Sequence, residues 1–154
     1  MLLGVPKEIK VHEYRVGMTP ASVREVTGRG HEVVVETGAG IGIGASDDDY
    51  RDIGASVADS AEDVFAQADM IVKVKEPQSG ERALLRPGQI LFTYLHLAPD
   101  PEQTKDLVES GAICIAYETV TDARGGLPLL APMSQVAGRM SIQAGAHCLE
   151  KEQG

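Results

Sequence analysis

Three side chains at separated points of the chain can act together on a small organic acid. Arg15 stands in "KVHEYRVGMTP", in the loop after the first strand-like run, Lys75 in "VKVKEP" at the carboxyl end of a central one, and His96 in "FTYLHLAP" at the end of another. In open α/β sheets, ligands sit at the edge where strands end and loops begin. A planar guanidinium holds a carboxylate through two parallel hydrogen bonds, and an ammonium polarises a carbonyl oxygen. An imidazole titrates near neutrality and passes protons. Together the three suit a 2-oxo acid. Taken singly, each has a plainer reading: Arg15 and Lys75 as solvated loop charges, His96 as a turn cap. Lys73 and Lys75 alternate along one strand, so only one of them points to a given side. His12, His31 and His147 have no partner spacing and are read as structural, and no clustered metal-ligand signature is present.

The elements that must position these residues alternate between strand and helix. "LLGVP" reads as a buried strand, and "TPASVREVTGRG" as a helix with Thr19 as N-cap, Pro20 at N1 and Gly30 as terminator. "HEVVVE" is a second strand, "SDDDYRDIG" a short capped helix closed by Gly54, "ASVA" a brief strand and "DSAEDVFAQA" a helix opened by Asp or Ser. "MIVKV", "QILFTYL" and "AICIAYE" complete the strands; "ERALLRPG" gives a helical turn, and "DPEQTKDLVESG" a helix from Pro101 to Gly111. Strands this apolar cannot face water on either side. The pattern therefore predicts an α/β fold: a doubly wound, mainly parallel sheet with helices on both faces. From Met133 the sequence reads as one long C-terminal helix with small residues at Ala137, Gly138, Ala144, Gly145 and Ala146. The expected organisation is residues 1–131 as a ligand-binding domain and 132–154 as the long helix.

"ETGAGIGIGAS" follows a strand and precedes a helix, and Gly40, Gly42 and Ala45 fit a permitted dinucleotide spacing, with Asp59 near the distance of a ribose-binding acid. Electrostatics argues against a phosphate cradle. The pyrophosphate belongs at the helix N-terminus, and that first turn carries Asp47, Asp48 and Asp49. A flexible strand-to-helix loop is the reading retained.

The chain has 154 residues, 43% of them apolar, enough for one domain with a real core. Its formal net charge is -9, with scattered basic residues, which excludes nucleic acid and anionic membranes as expected partners. No apolar run approaches bilayer length and the start lacks the features of a leader, so a cytoplasmic protein is expected. Cys114 and Cys148 lack metal or redox spacing and are read as two buried reduced thiols.

Several stretches are long enough to carry a resemblance: "GVPKE", "EYRVGMTPASV", "GHEVVVETGAG", "ADMIVKVKEP", "LFTYLHLAPDPE", "IAYETV" and "LPLLAPMSQVAGRMSIQAGAHCLEK". Together they resemble the amino-terminal half of the alanine dehydrogenase and transhydrogenase alpha-subunit family, with "TYLHLA" and "LLAPMSQVAGRM" favouring the alanine dehydrogenase branch. That branch interconverts L-alanine with pyruvate and ammonia using NAD. By this resemblance Arg15 binds the substrate carboxylate, Lys75 contacts the carboxylate or carbonyl, and His96 is the catalytic acid/base. Tyr94 and Met133 line the pocket, and Ser134 faces the cofactor. The glycine stretch falls in the family's substrate domain.

Family members continue past the long helix into a Rossmann domain, and this sequence stops at "EKEQG". A truncated alanine dehydrogenase is thus expected: a pyruvate- or L-alanine-binding domain, with no cofactor of its own and without dehydrogenase activity alone, since hydride transfer needs the nicotinamide positioned. The expected partners are a small 2-oxo or amino acid, another copy in at least a dimer, and in a split enzyme a separate NAD-binding chain. A non-enzymatic assembly or regulatory protein is the alternative.

Overall fold

The computed structural model describes residues 1–153 and divides into two compact units, Met1–Ala116 and Tyr117–Gly154. The first unit contains six strands: β1 (Leu2–Val5), β2 (Glu32–Glu36), β3 (Ser56–Ala58), β4 (Met70–Val72), β5 (Ile90–Thr93) and β6 (Ile113–Ala116). They form one sheet in the order β3-β2-β1-β4-β5-β6, with every neighbouring pair parallel. Five helices make the crossovers: α1 (Pro20–Thr27), α2 (Asp47–Arg51), α3 (Ala61–Gln67), α4 (Ser79–Arg82) and α5 (Pro101–Ser110).

The period of two in the strands sorts their side chains into two cores. Leu3, Val5, Val33, Val35 and Val72 pack with Val23 of α1 and Tyr50 of α2 on one face. Val34, Ile71 and Leu91 pack with Val64 and Phe65 of α3 and Leu107 of α5 on the other. This is the doubly wound sheet expected from the apolar strands. Gly4 permits it at the sheet centre, because a Cβ there would stand 2.7 Å from the Cβ of Ala68 at the end of α3.

Local signals fix the helix ends. Thr19 accepts from the backbone N–H of Ser22, Ser60 from that of Asp63 and Asp100 from that of Gln103, each satisfying a donor the first turn leaves unpaired. Ser46 and Asp49 form a reciprocal capping box at α2. Gly111 closes α5 with φ +69°. At α1 the expected terminator is displaced: the helix ends at Thr27 with Gly28 as its cap, and Gly30, at φ +83°, makes the turn into β2.

In the second unit, α6 (Ala131–Cys148) is the long helix foreseen from Met133 onward. None of its residues is buried. Cys148 is accordingly exposed, and Cys114 is only half-buried, its thiol pushed up by partial burial. The expectation of two buried thiols is corrected: Cys114 lies on edge strand β6, and the helix around Cys148 carries no enclosing apolar face. No helix among the described residues is long and apolar enough to cross a membrane.

Candidate functional site

In this strand order the chain reverses direction of winding between β1 and β4, so the loops leaving those two strands diverge and open a crevice at their carboxyl ends. The loop after β1 carries Glu8, Glu13 and Arg15; β4 leads directly into Lys73 and Lys75; and β5 leads through Tyr94 to His96. The sequence-predicted Arg15, Lys75, Tyr94 and His96 therefore share one edge of the sheet.

Buried carboxylates hold this edge. Lys73 is 1% exposed and ion-paired to Glu81 at 2.6 Å and to Glu8 at 3.4 Å. The other pull on Glu8 is the backbone: its carboxylate accepts from the N–H of Val74 at 2.6 Å and of Lys75 at 3.4 Å. Burial raises the Glu8 carboxyl above its ordinary value, opposed by the Lys73 charge and these hydrogen bonds. Of the alternating lysines, then, Lys73 turns inward to the carboxylates, and Lys75 is the one at the cleft. The backbone of Lys75 is further fixed from β5, where Thr93 Oγ1 donates to its carbonyl at 2.9 Å.

Arg15 is gripped from within its own loop. Its backbone N–H, Nε and Nη2 donate to the Glu13 carboxylate at 2.9, 2.8 and 2.7 Å, a side-on, two-point pairing with a third bond from the main chain. These hydrogen bonds from Arg15 hold the Glu13 carboxyl below its ordinary value, and the Lys75 charge adds to the effect. Tyr94 and Glu8 in turn act on the Arg15 guanidinium. Arg15, Glu13, Lys75 and Tyr94 thus belong to one electrostatic neighbourhood.

Two clefts result. One, of about 290 Å³, is lined by Lys7, Glu8, Glu13, Tyr14 and Arg15 on one side and by the glycine loop, Gly38 to Gly42, on the other. The second, of about 430 Å³, is lined by Lys75, His96, Asp100 and Gln103 together with the ion-paired Lys10 and Glu76. Tyr94 is buried, and the His96 ring stacks near it at 6.3 Å between centroids and 25° between planes. His96 adopts φ +49°, a conformation non-glycine residues rarely take and one that concentrates at functional positions. Met133 and Ser134 lie in the first turn of α6 in the second unit. Met133 is half-buried, and the Ser134 hydroxyl donates to the Leu130 carbonyl at 3.4 Å.

The glycine stretch follows β2 and forms the wall of the first cleft opposite Arg15. Asp47 occupies it from the helix side, accepting from the Gly38 N–H at 2.8 Å and the Thr37 hydroxyl at 2.6 Å. A phosphate there would meet a carboxylate already on the loop's own donors, so these residues do not fit a dinucleotide. No group of three or more His, Cys, Asp or Glu suited to a metal ion occurs among the described residues. Sequence reasoning passed over Glu8, Glu13 and the Lys73–Glu81 pair. Glu13 had a faint signal in standing two residues from Arg15; the others join across 66 and 8 residues and had none.

An open, wholly parallel sheet, with Arg15, Lys75 and His96 on the loops at the carboxyl ends of β1, β4 and β5, defines a doubly wound α/β domain. Residues 4–137 match the family described as alanine dehydrogenase/PNT, N-terminal domain, and the chain belongs to that family. It is 58% identical over its whole length to the alanine dehydrogenase of Halomonas elongata, of which it spans 42%. A solved L-alanine dehydrogenase superposes on all of it with a TM-score of 0.90 at 52% identity, 42% of that chain being covered. The transhydrogenase from Sinorhizobium meliloti matches 80% of this chain with a TM-score of 0.74 at 30% identity, over 37% of its own length.

Proposed function

We propose that this chain is the substrate-binding part of an alanine dehydrogenase and that its sheet edge takes pyruvate or L-alanine. The observation that carries the reading is the pairing of a pre-oriented guanidinium, Arg15 held by Glu13, with Lys75 fixed through its own backbone at the switch point. The guanidinium takes the ligand carboxylate, and the Lys75 ammonium polarises the carbonyl oxygen. His96, in its left-handed conformation at the end of β5, exchanges a proton with that oxygen. Tyr94, stacked near His96, flanks the ligand.

Calorimetric titration of pyruvate into the purified chain tests this. Saturable binding, weakened at least about tenfold in both Arg15→Ala and Lys75→Ala, is the expected result, a loss of one good charge-assisted contact in each. Absence of binding in a folded chain sinks the reading.

A second reading, assembly with another copy of the chain, is favoured by the exposed Val136, Met140 and Ile142 of α6. Sedimentation velocity across a hundredfold concentration range tests it; a single monomeric species throughout rules it out.

A further inference from the structure

We propose that Glu13 is a specificity-determining residue, which makes the site accept a ligand with one carboxylate and reject one with two. The inference rests on the reading that this edge binds a 2-oxo acid. Its ground is a matching of charges. Arg15 spends the Nε and Nη2 edge of its guanidinium on Glu13, whose side chain is only 5% exposed, so the arginine's charge is balanced within the protein. Lys10 is balanced by Glu76, and Lys73 by Glu81 and Glu8. Lys7 is exposed to solvent at the rim of the Arg15 cleft. Lys75 enters no ion pair among the described residues, and its charge is felt by Glu13.

Among these cations Lys75 is the half-buried one that enters no ion pair among the described residues, and it is the one a single ligand carboxylate can take. A second carboxylate would bring its charge against Glu13 in a partly buried cleft, where like charges repel more strongly than in water. Burial alone would push the Glu13 carboxyl up; the three hydrogen bonds from Arg15 more than offset this and keep it ionised at neutral pH. Glu13 thus orients Arg15 and also fixes the charge of the acid that fits.

Pyruvate and freshly prepared oxaloacetate differ by one carboxylate and make the test pair. Both are titrated into the wild-type chain, Glu13→Gln and Glu13→Asp, with thermal melting to show that each variant folds. The wild type should favour pyruvate. Glu13→Gln keeps an acceptor for Arg15 and removes the charge, and should shrink that preference by about tenfold, the scale of one exposed-to-buried charge contact. Glu13→Asp keeps the charge with a shorter reach; it should weaken pyruvate binding and leave the preference unchanged. If Glu13→Gln does not fold, Glu13→Asn carries the same prediction. A wild type that binds both acids equally overturns the proposal, as does a Glu13→Gln or Glu13→Asn that loses both in proportion, since Glu13 would then only orient Arg15. Failure of pyruvate to bind the wild type removes the parent reading and this inference with it.

Discussion

A lysine as buried as Lys73 persists only if its charge is met on the spot, because an isolated ammonium in the interior costs several kcal/mol to desolvate. Glu81 and Glu8 meet it, and Glu8 passes the constraint on to the backbone of Lys75. Removing the lysine would strand two carboxylates. Lys73→Met should therefore cost about 3–5 kcal/mol in urea unfolding, the range for breaking a buried pair. Lys75→Ala removes a half-buried side chain with no ion pair among the described residues and should change stability by less than about 1 kcal/mol. Equal costs would show that Glu81 and Glu8 do not depend on Lys73. The sequence made Lys73 and Lys75 look alike; strand alternation says that they differ but not which faces the cleft. That choice is made by Glu8 and Glu81, and the link from Glu8 to residue 74 spans 66 positions, which no local pattern encodes. Lys75 and His96 stood out in the sequence because each follows an apolar run, and Arg15 because it lies in the loop after the first strand; Glu8 and Glu13 share that loop and Glu81 lies in α4 without any such marker.

At the scale of elements, the loop after β1 owes its course to two close backbone approaches. A Cβ on Gly17 would lie 2.2 Å from the Val72 carbonyl oxygen, and one on Gly42 would lie 2.2 Å from that of Tyr14. The glycine stretch after β2 therefore serves as a surface against which the Arg15 loop lies, and Gly42 is its contact point. Gly44 differs: φ is +78° and there is open space around the missing side chain. Gly42→Ala should displace the Tyr14–Arg15 backbone, cost about 2–3 kcal/mol from overpacking and weaken pyruvate binding. Gly44→Ala should cost about 1 kcal/mol of left-handed strain and leave binding unchanged. Chemical denaturation with calorimetry on both variants checks this; equal effects on binding would show that the loop contact is irrelevant to the site. The strands and crossover helices could be read from caps, terminators and apolar runs because those signals are local. The use of Gly42 could not, since it depends on which distant backbone arrives there. Charge at Asp47, Asp48 and Asp49 did suffice to argue against a phosphate loop, and the structure adds that Asp47 already sits on the loop's donors.

For the molecule as a whole, the parallel order β3-β2-β1-β4-β5-β6 creates the switch point, and the acidic composition then has to be managed around it. The carboxyls divide into two sets by the sign of their displacement. Burial raises Glu8 and Glu36 above the ordinary 4.5. For such groups the folded state binds protons more readily than the unfolded chain, so they withdraw stability as pH rises through the window just above 4.5. Hydrogen bonds lower Glu13, Asp47 and Asp49 below 4.5, 3.8 and 3.8 respectively. Their contribution is complete above those ordinary values and is lost as pH falls through the lower folded values. The two sets predict a stability maximum on the mildly acidic side, with acid unfolding governed by the second set. Arg15→Ala isolates one member. Without the guanidinium, Glu13 keeps its burial, which raises its pKa, and loses the bonds from the side chain, which lowered it. Its pKa should therefore rise, with the main-chain N–H of residue 15 and the Lys75 charge still opposing burial; Glu13 then adds less stability above its pKa, and the acid-unfolding midpoint followed by circular dichroism should shift to higher pH than in the wild type. Asp48, whose pairing with Arg51 is exposed on both sides, offers the contrast. Asp48→Asn should leave the midpoint where it was. A midpoint unmoved in Arg15→Ala would mean that Glu13 is held down by something other than the arginine beside it.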